Sequence, residues 1–230
     1  MCGRINVSDH PGVQTLLDFL DIPLYGQPSY KQLFEARYNI APGANLYSVY
    51  ANNKINNADF MRWGILPAWA KPDKFSRPLI NARSETVWEK PSFKNLIKNQ
   101  RVIIPINGFY EWQRDKNTKT AFHIHATDKP ALALGGLYQI SKEGNLQCCV
   151  VTTAANETMS PIHDRMPVIL SEDSMSDWLH SDDKFLLDEL MLPTPASWIT
   201  VTRVSSYVNN AGHDGKECIK PFMSDDLFGA

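Results

Sequence analysis

Apolar and polar residues alternate along the chain in a pattern that predicts one short helix near the start and then mainly strands. Apolar residues recur at helical spacing over residues 11–20, and Ser8 is a candidate N-cap for that helix. Residues 46–50 and 59–65 predict two strands, and the asparagine-rich segment 52–57 between them supplies turn residues. The first half of the chain therefore contains a predicted β-hairpin.

A longer run of strands is predicted in the middle of the chain. Four apolar segments separated by polar turns make up this run: residues 101–113, 121–126, 131–140 and 146–153. The turns are too short to hold crossover helices, so neighbouring strands are expected to be antiparallel. Two amphipathic helices over residues 171–180 and 183–191 follow, and a last strand is predicted over 198–204.

These elements predict an α+β fold built on a curved, mainly antiparallel sheet, a distorted open barrel, with flanking helices. The chain has 230 residues and shows no internal repeat or break in composition. We therefore predict one domain over residues 1–230, with 1–221 as its core and 222–230 as a polar tail.

Charge and cysteine content narrow the classes of protein to consider. A formal net charge of -2 argues against a uniformly basic nucleic-acid coat, so any nucleic-acid site must be a local basic groove. The four cysteines lack the spacing of a disulfide scaffold, which favours a reducing cytoplasm. No leader sequence precedes residue 10 and no apolar run reaches the ~20 residues that cross a bilayer, so we expect a soluble cytoplasmic protein without membrane contact.

The chain begins Met1-Cys2-Gly3-Arg4. Removal of Met1, which the small Cys2 side chain permits, would leave an α-amine and a thiol on one residue. Such a 1,2-aminothiol condenses with an aldehyde to a Schiff base, and the sulfur then closes a stable thiazolidine ring. With ordinary pKa values of about 8 for the amine and 8.5 for the thiol, both groups are partly available near neutral pH. The alternative is an ordinary start followed by an arbitrary cysteine.

Two further segments carry groups able to move protons. Glu111 lies between Tyr110 and Trp112, and an apolar neighbourhood disfavours its charged form, which suits a proton shuttle. A surface-facing glutamate on an edge strand is the alternative. His163 lies in a loop bounded by two prolines and is of the residue type best suited to proton transfer near neutral pH, and Arg165 in the same loop suits a phosphate contact.

Other polar and aromatic residues allow two interpretations each. Arg83 lies at a predicted strand-to-helix junction, with Ser84 as the cap of helical segments over 85–98, and either binds an anion or bonds nearby carbonyls. Trp69 is either a core residue or a platform for a stacked base. His123 and His125 point the same way on a strand, but no cysteine or carboxylate has matching spacing, so we predict no metal and no other cofactor.

Seven segments occur in the order of one known family. They are Met1-Cys2-Gly3-Arg4, Tyr38-Asn39-Ile40-Ala41-Pro42-Gly43, Trp63-Gly64, Asn81-Ala82-Arg83-Ser84-Glu85-Thr86, Gly108-Phe109-Tyr110-Glu111-Trp112, Ile162-His163-Asp164-Arg165-Met166-Pro167 and Val208-Asn209-Asn210. From Cys2 to about Pro221 the chain resembles the SOS-response-associated peptidase (SRAP) family of abasic-site processing proteins. The resemblance implies covalent capture of abasic sites in single-stranded DNA.

The resemblance also implies roles for individual residues. Cys2 is the capturing residue through its amine and thiol, Glu111 a general acid/base, His163 the proton source for opening the deoxyribose ring, and Asn81 a hydrogen-bonding orienter. The positions expected to contact DNA are Arg4, Arg83 and Arg165 for phosphates with Thr153 as a helper, and Pro42 and Trp69 for the flanking bases.

One departure from the family pattern concerns base stacking. Ala70 stands where many relatives have a second bulky aromatic residue, so the grip on one DNA flank is expected to be weaker or supplied by another residue such as Phe75. The family name reflects proposed self-removal of Met1, which Glu111 and His163 are placed to assist.

Two other functions stay open from the sequence. One is a non-covalent reader of single-stranded or modified DNA, which would bind intact and abasic strands equally. The other is a cysteine peptidase acting in trans, with Cys2 as a thiolate beside His163. The expected partner is single-stranded DNA containing abasic sites, and the expected state is a monomer.

Overall fold

The computed structural model describes residues 2–22, 35–67, 77–115 and 118–223. The strands in these ranges are β1 (Ile5–Val7), β2 (Arg37–Ile40), β3 (Asn45–Asn52), β4 (Ile55–Trp63), β5 (Asn81–Arg83), β6 (Arg101–Ile106), β7 (Gly108–Asp115), β8 (Thr118–Ala126), β9 (Leu132–Ile140), β10 (Leu146–Ala154), β11 (Arg165–Pro167), β12 (Ile169–Leu170) and β13 (Ile199–Arg203). The α-helices are α1 (His10–Phe19), α2 (Leu96–Asn99), α3 (Glu172–His180) and α4 (Lys184–Leu190). The predicted α+β class is confirmed.

The strands form two sheets that are mainly antiparallel. The smaller sheet has the order β13-β8-β7-β1-β2, and the larger has the order β11-β10-β4-β3-β6-β9-β12. Strand β5 pairs with β10, and the larger sheet curls so far that β9 also pairs with β10. Among the described strands the parallel pairs are β10 with β4 and β10 with β5. The predicted curved, mainly antiparallel architecture is therefore confirmed.

The single strand predicted over residues 101–113 is wrong, because the chain passes from one sheet to the other at Asn107. Strand β6 belongs to the larger sheet and β7 to the smaller. The buried Asn107 side chain accepts hydrogen bonds from the backbone N–H groups of Ser8 (2.7 Å) and Asp9 (2.9 Å) and donates to the Pro130 carbonyl (2.9 Å). These bonds satisfy backbone groups at the crossing that neither sheet can pair.

Two predicted helix caps are also wrong. Ser8 Oγ accepts from Asn6 instead, and α1 starts after Asp9, which makes no side-chain cap bond. Ser84 begins a single 3-10 turn, Ser84–Thr86. The helix predicted beyond it is mostly irregular turns until α2, and Pro91, which lacks a backbone N–H, interrupts that stretch.

The hairpin predicted in the first half is confirmed as β3 and β4. Their register runs from Asn45↔Arg62 to Asn52↔Ile55, which leaves a two-residue turn. Asn53 and Lys54 in that turn have φ angles of +51° and +63°, as a type I′ turn requires. Asparagine tolerates this left-handed region better than most residues, so the asparagine-rich sequence fits the turn.

The buried residues form two main clusters. The first holds the apolar face of α1 and the helices α3 and α4, with Trp178 fully buried against the larger sheet. The second is built from residues of both sheets and contains Cys2, Ile5, Trp63 and Phe109. The start of the chain is thus part of the core. No helix in the described ranges has the length and apolar content to span a bilayer.

Arg101 at the start of β6 holds the surrounding loops by their carbonyl groups. Its Nε donates to Trp178 O at 2.5 Å, and its Nη atoms donate to Ile97 O at 2.7 Å and Ser181 O at 2.6 Å. The guanidinium is buried, so these carbonyls have little access to water as substitutes. The residue therefore joins the ends of α2 and α3 to the larger sheet.

We expect Arg101→Met to destabilise the protein by roughly 3 kcal/mol or more, because several buried carbonyls lose their donor at once. For a chain of this size that corresponds to a fall in Tm of about 10 °C. Thermal unfolding followed by circular dichroism measures it, with the exposed Arg62→Met on β4 as the matched control. Equal Tm values for the two variants would contradict a role for Arg101 in holding these loops.

Candidate active site

The first residues of the chain are fixed by strand pairing. Strand β1 lies between β2 and β7, with Ile5 opposite both Ile40 and Phe109. The pairing continues upstream, because the Arg4 carbonyl accepts from the Tyr110 N–H at 2.9 Å. Cys2, two residues before Arg4 in the chain, is completely buried. The strand that carries Glu111 thus runs beside the segment that carries Cys2.

Asn81 contacts the backbone of Cys2 directly. Its Nδ2 donates to the Cys2 carbonyl at 3.0 Å. The parallel pairing of β5 with β10 sets its place through the register Asn81↔Val150. The Oδ1 atom of the same amide is buried and has no hydrogen-bond partner in the described parts of the chain. The site therefore contains a fixed acceptor, without a partner in the described chain, close to Cys2.

Glu111 is 3% exposed and acts electrostatically on Cys2. Burial raises the pKa of the Cys2 thiol well above its ordinary value, and the nearby negative charge of Glu111 raises it further. The thiol therefore keeps its proton at neutral pH. Any reaction in which the sulfur forms a bond needs a base to take that proton, and Glu111 is the nearby carboxylate.

His163 lies on the loop between β10 and β11. Its Nδ1 accepts from the Arg165 backbone N–H at 3.0 Å and also lies 2.8 Å from Asp164 Oδ1. The two contacts require opposite states, because Nδ1 accepts only without a proton and donates to the carboxylate only with one. In the neutral ring that accepts from Arg165, the proton is on Nε2. Both contacts go through Nδ1 and hold the imidazole ring of His163 in the loop.

A cleft of about 630 Å³ opens next to the buried Cys2, and neither Cys2 nor Asn81 is among the residues that line it. Gly3, Arg4, Glu111 and His163 line its inner part. Trp112, Arg114 and Lys119 of the β7–β8 hairpin, together with Ile162 and Asp164, line the rest. Three of the predicted site residues, Arg4, Glu111 and His163, thus share one cavity, and a cavity with three cations on its walls suits an anionic ligand.

A second group of predicted residues meets at the end of β10. Arg83 of β5 is opposite Thr152, and Arg165 of β11 is opposite Ala154. Arg83 is exposed, whereas Thr153 between them is 4% exposed. Strand pairing therefore brings the predicted phosphate contacts Arg83 and Arg165 to the two sides of one strand, with Thr153 in the middle.

Arg165 is already held by a carboxylate. It forms a two-pronged ion pair with Glu85, in which Nη2 lies 2.9 Å from Oε2, and it donates to Thr152 O at 2.6 Å. Hydrogen bonding from Arg165 lowers the pKa of Glu85. A phosphate that binds Arg165 must share it with Glu85 or displace that side chain.

Asn39 is a structural support of the site that sequence reasoning did not identify. Its Oδ1 accepts from Arg4 Nη1 at 2.6 Å, while its Nδ2 donates to the carbonyls of Asn210 (3.0 Å) and His213 (2.8 Å). One buried amide therefore fixes both the Arg4 head group and the loop beneath it. The sequence signal that could have indicated this role is its position in segment 38–43, which matches the family.

The predicted base-stacking residues are only partly described. Pro42 is exposed in a tight turn closed by the Ala44 N–H on Ala41 O at 3.2 Å, with Gly43 at φ +93°, and it does not line the cleft. Trp63 is a core residue whose Nε1 donates to Ile80 O at 3.1 Å. Met1, Trp69, Ala70 and Phe75 lie outside the described residues.

His123 and His125 pack against each other in the smaller sheet. Their rings stack at 5.3 Å, and His123 Nε2 is bonded to Asn6 Oδ1 at 2.8 Å. Across the ranges that the structure covers, no three His, Cys, Asp or Glu side chains are grouped as metal ligands. Burial, with a smaller effect of His125, lowers the pKa of His123 from 6.5 to about 3.

The buried His123 predicts loss of stability in acid. In the unfolded chain His123 binds a proton below about pH 6.5, whereas in the folded protein it does so only below about pH 3. Between these two values the unfolded state binds more protons, so the free energy of unfolding falls as the pH drops. The slope is at most about 1.4 kcal/mol per pH unit. Urea unfolding at several pH values measures it. His123→Gln should flatten the slope, so parallel curves for wild type and His123→Gln would contradict the prediction.

Comparison with known proteins gives consistent matches over the whole chain. A family model described as SOS response associated peptidase (SRAP) matches residues 1–211. Abasic site processing protein YoaM of Bacillus subtilis is 35% identical over 226 residues, which cover 95% of this chain and 97% of that protein. Abasic site processing protein YedK of Escherichia coli is 29% identical over 240 residues, which cover 96% and 100%.

A solved structure supports the same fold. An X-ray structure of a Bacteroides thetaiotaomicron protein matches with a TM-score of 0.80 over 96% of this chain and 100% of that chain. The two sequences are 20% identical, so the match speaks for the fold alone.

Proposed function

The chain belongs to the SOS response associated peptidase family, and on that premise we propose that it processes abasic sites in single-stranded DNA by capturing them covalently through Cys2. The relatives named above are abasic site processing proteins. An abasic site in its ring-opened form is an aldehyde, which is the reaction partner of a 1,2-aminothiol.

The observation that carries the proposal is the bond from Asn81 to the Cys2 carbonyl, together with the empty acceptor on the same amide. Burying the Oδ1 atom of this amide next to Cys2 without a hydrogen bond costs folding free energy, unless a donor binds it during the reaction. The α-amine of Cys2 and the hydroxyl of a carbinolamine are both donors that suit Oδ1. Asn81 would thereby orient the amine toward the aldehyde carbon.

The proposed reaction has three steps. His163 gives a proton to the ring oxygen of the deoxyribose while the anomeric hydroxyl loses its proton to water, and the hemiacetal opens to the aldehyde. The Cys2 amine then adds to the aldehyde carbon, and loss of one water gives the Schiff base. Finally the Cys2 sulfur attacks the imine carbon while its proton passes through Glu111 to the imine nitrogen, which closes the thiazolidine.

Glu111 is the residue that the last step requires. Because the Cys2 thiol keeps its proton at neutral pH, a carbon–sulfur bond forms only if a neighbouring base accepts that proton. The same carboxylate, once protonated, can protonate the ring nitrogen. The product remains attached to the strand and shields the lesion, and reversal of the steps would release it. A lyase reaction would branch from the Schiff base instead, where a base removes the C2′ proton and the 3′-phosphate leaves, which cleaves the strand.

The site also needs a route for the strand and a free amine. Arg4 in the cleft and Arg83 and Arg165 at β10 are proposed to hold phosphates, with Thr153, Pro42 and Trp69 as further DNA contacts.

Removal of Met1 is required because an acylated amine forms no Schiff base. We propose that Glu111 and His163 assist this cleavage.

The direct test is incubation of protein lacking Met1 with an abasic single strand, followed by denaturing electrophoresis. We expect one slower band that survives denaturant and does not appear with the intact strand. Equal binding of both strands with no such band would instead favour the non-covalent reader. Cleavage of a supplied peptide without any DNA product would favour the peptidase acting in trans.

A further inference from the structure

The outer part of the cleft contains two cations that face each other. Arg114 and Lys119 are directly opposite in the β7–β8 register, and both are exposed. Residues at such positions project from the same face of the hairpin, where like charges are destabilising. Neither forms an ion pair with any acid in the described chain. The pair therefore weakens the hairpin and has no internal counter-charge.

An aromatic ring joins these cations to the inner part of the cleft. Lys119 Nζ lies 4.6 Å from the centre of the Trp112 ring, and Arg4 Cζ lies 5.7 Å from it. Trp112 is itself fixed, because its Nε1 donates to Asn209 Oδ1 at 2.6 Å. Arg4 and Lys119 are thus arranged around one ring and line a continuous wall.

Two carboxylates, Glu111 and Asp164, share the cleft with these cations. Asp164 lies against His163, at 2.8 Å from its Nδ1. Glu111 is buried three residues before Arg114 on the same strand, a separation of roughly 10 Å. The three cations of the cleft, Arg4, Arg114 and Lys119, therefore outnumber its two acids, and two of the three lie on the hairpin.

We propose that Arg114 and Lys119 bind a backbone phosphate of the DNA strand within two nucleotides of the abasic site, with Trp112 holding the lysine in place. The inference rests on the proposed function, which puts the lesion at Cys2. A phosphate supplies the counter-charge that the pair lacks, and guanidinium and ammonium groups are its usual ligands. The contact is independent of sequence, as a lesion that occurs in any context requires.

The first measurement is the salt dependence of binding. The probe is a single strand that carries a tetrahydrofuran in place of the abasic sugar, so that no covalent product forms. We expect the double variant Arg114→Gln, Lys119→Gln to bind roughly tenfold more weakly at low salt. Its slope of log affinity against log salt should be smaller by about 0.7 for each lost contact. The matched control is Lys94→Gln, Lys142→Gln, two exposed lysines elsewhere.

The second measurement locates the phosphate. Methylphosphonates replace single phosphates one at a time on either side of the tetrahydrofuran, and each strand is bound to wild type and to the double variant. One neutral position within two nucleotides should weaken binding to wild type but have little effect in the double variant. Because a like-charge pair is removed, the Tm of the variant should equal or exceed that of wild type, which excludes misfolding.

Several outcomes overturn the proposal. They are an unchanged salt slope in the double variant and the absence of a coupled phosphate within two nucleotides. A third is a double variant that binds a polyglutamate peptide more weakly than wild type does but binds the DNA strand equally well. The proposed function fails separately, through absence of the denaturant-resistant band in wild type. A normal band with no phosphate coupling removes the hairpin contact alone.

Discussion

Cys2→Ala will abolish the denaturant-resistant product with abasic single-stranded DNA. The variant keeps an α-amine after Met1 is removed, so a Schiff base still forms, but no sulfur is present to close the ring. An imine hydrolyses readily, whereas the thiazolidine persists, so the stable band should fall to background. Borohydride, which reduces an imine to a stable amine, should restore a crosslinked band in the variant.

Cys148→Ala is the matched control for this experiment. Cys148 is a buried cysteine of the same core cluster, and burial raises its pKa as it does for Cys2. Its thiol is internal and has no adjacent α-amine, so crosslinking should match wild type. A stable band with Cys2→Ala, in the absence of borohydride, would show that another nucleophile captures the lesion.

Glu111→Gln should slow formation of the stable product by about 10²- to 10⁴-fold, the usual contribution of a general acid/base. The substitution keeps the shape of the side chain but removes the proton acceptor for the Cys2 thiol. Quenched time points on denaturing gels give the rate. Binding of the tetrahydrofuran strand, which needs no proton transfer, should change little.

The pH dependence identifies the step at which Glu111 acts. Because burial holds the pKa of Cys2 above its usual range, the thiolate fraction at neutral pH is small and rises about tenfold per pH unit. Glu111→Gln depends on that fraction, so its rate should climb more steeply with pH than the wild-type rate. Glu111→Asp should recover part of the neutral rate. A Glu111→Gln profile parallel to wild type would rule out this role.

The sequence predicted well those parts of the fold that depend on neighbouring residues. The asparagine-rich turn specified the β3–β4 hairpin because type I′ geometry favours asparagine at the turn itself. The break at Asn107 was missed, because apolar residues continue on both sides of it and only the hydrogen bonds to Ser8 and Asp9 mark the change of sheet. Which sheet a strand joins depends on distant partners that a local pattern does not contain.

The site residues also fall into two groups, those that the family resemblance indicated and those that only the folded structure brings together. Cys2, Asn81, Glu111 and His163 were assigned from the family resemblance, and spacing alone left Cys2 as an ordinary second residue. The ion pair between Arg165 and Glu85 joins side chains 80 positions apart, so no local pattern contains it. The opposition of Arg114 and Lys119 follows once the hairpin register is known, but the sequence alone presented that stretch as a turn.

The pairing that fixes the first residues also limits how their spacing can change. Arg4 is bonded to Tyr110 and Ile5 is in register with Phe109, so Cys2 has a set distance from the end of β1. One residue inserted between Cys2 and Ile5 would turn every upstream side chain to the opposite face and carry the thiol away from Glu111 and Asn81. Substitutions at Gly3 are therefore easier for this protein to tolerate than an insertion or deletion there. The length of this short segment therefore matters to the proposed reaction as much as the cysteine itself.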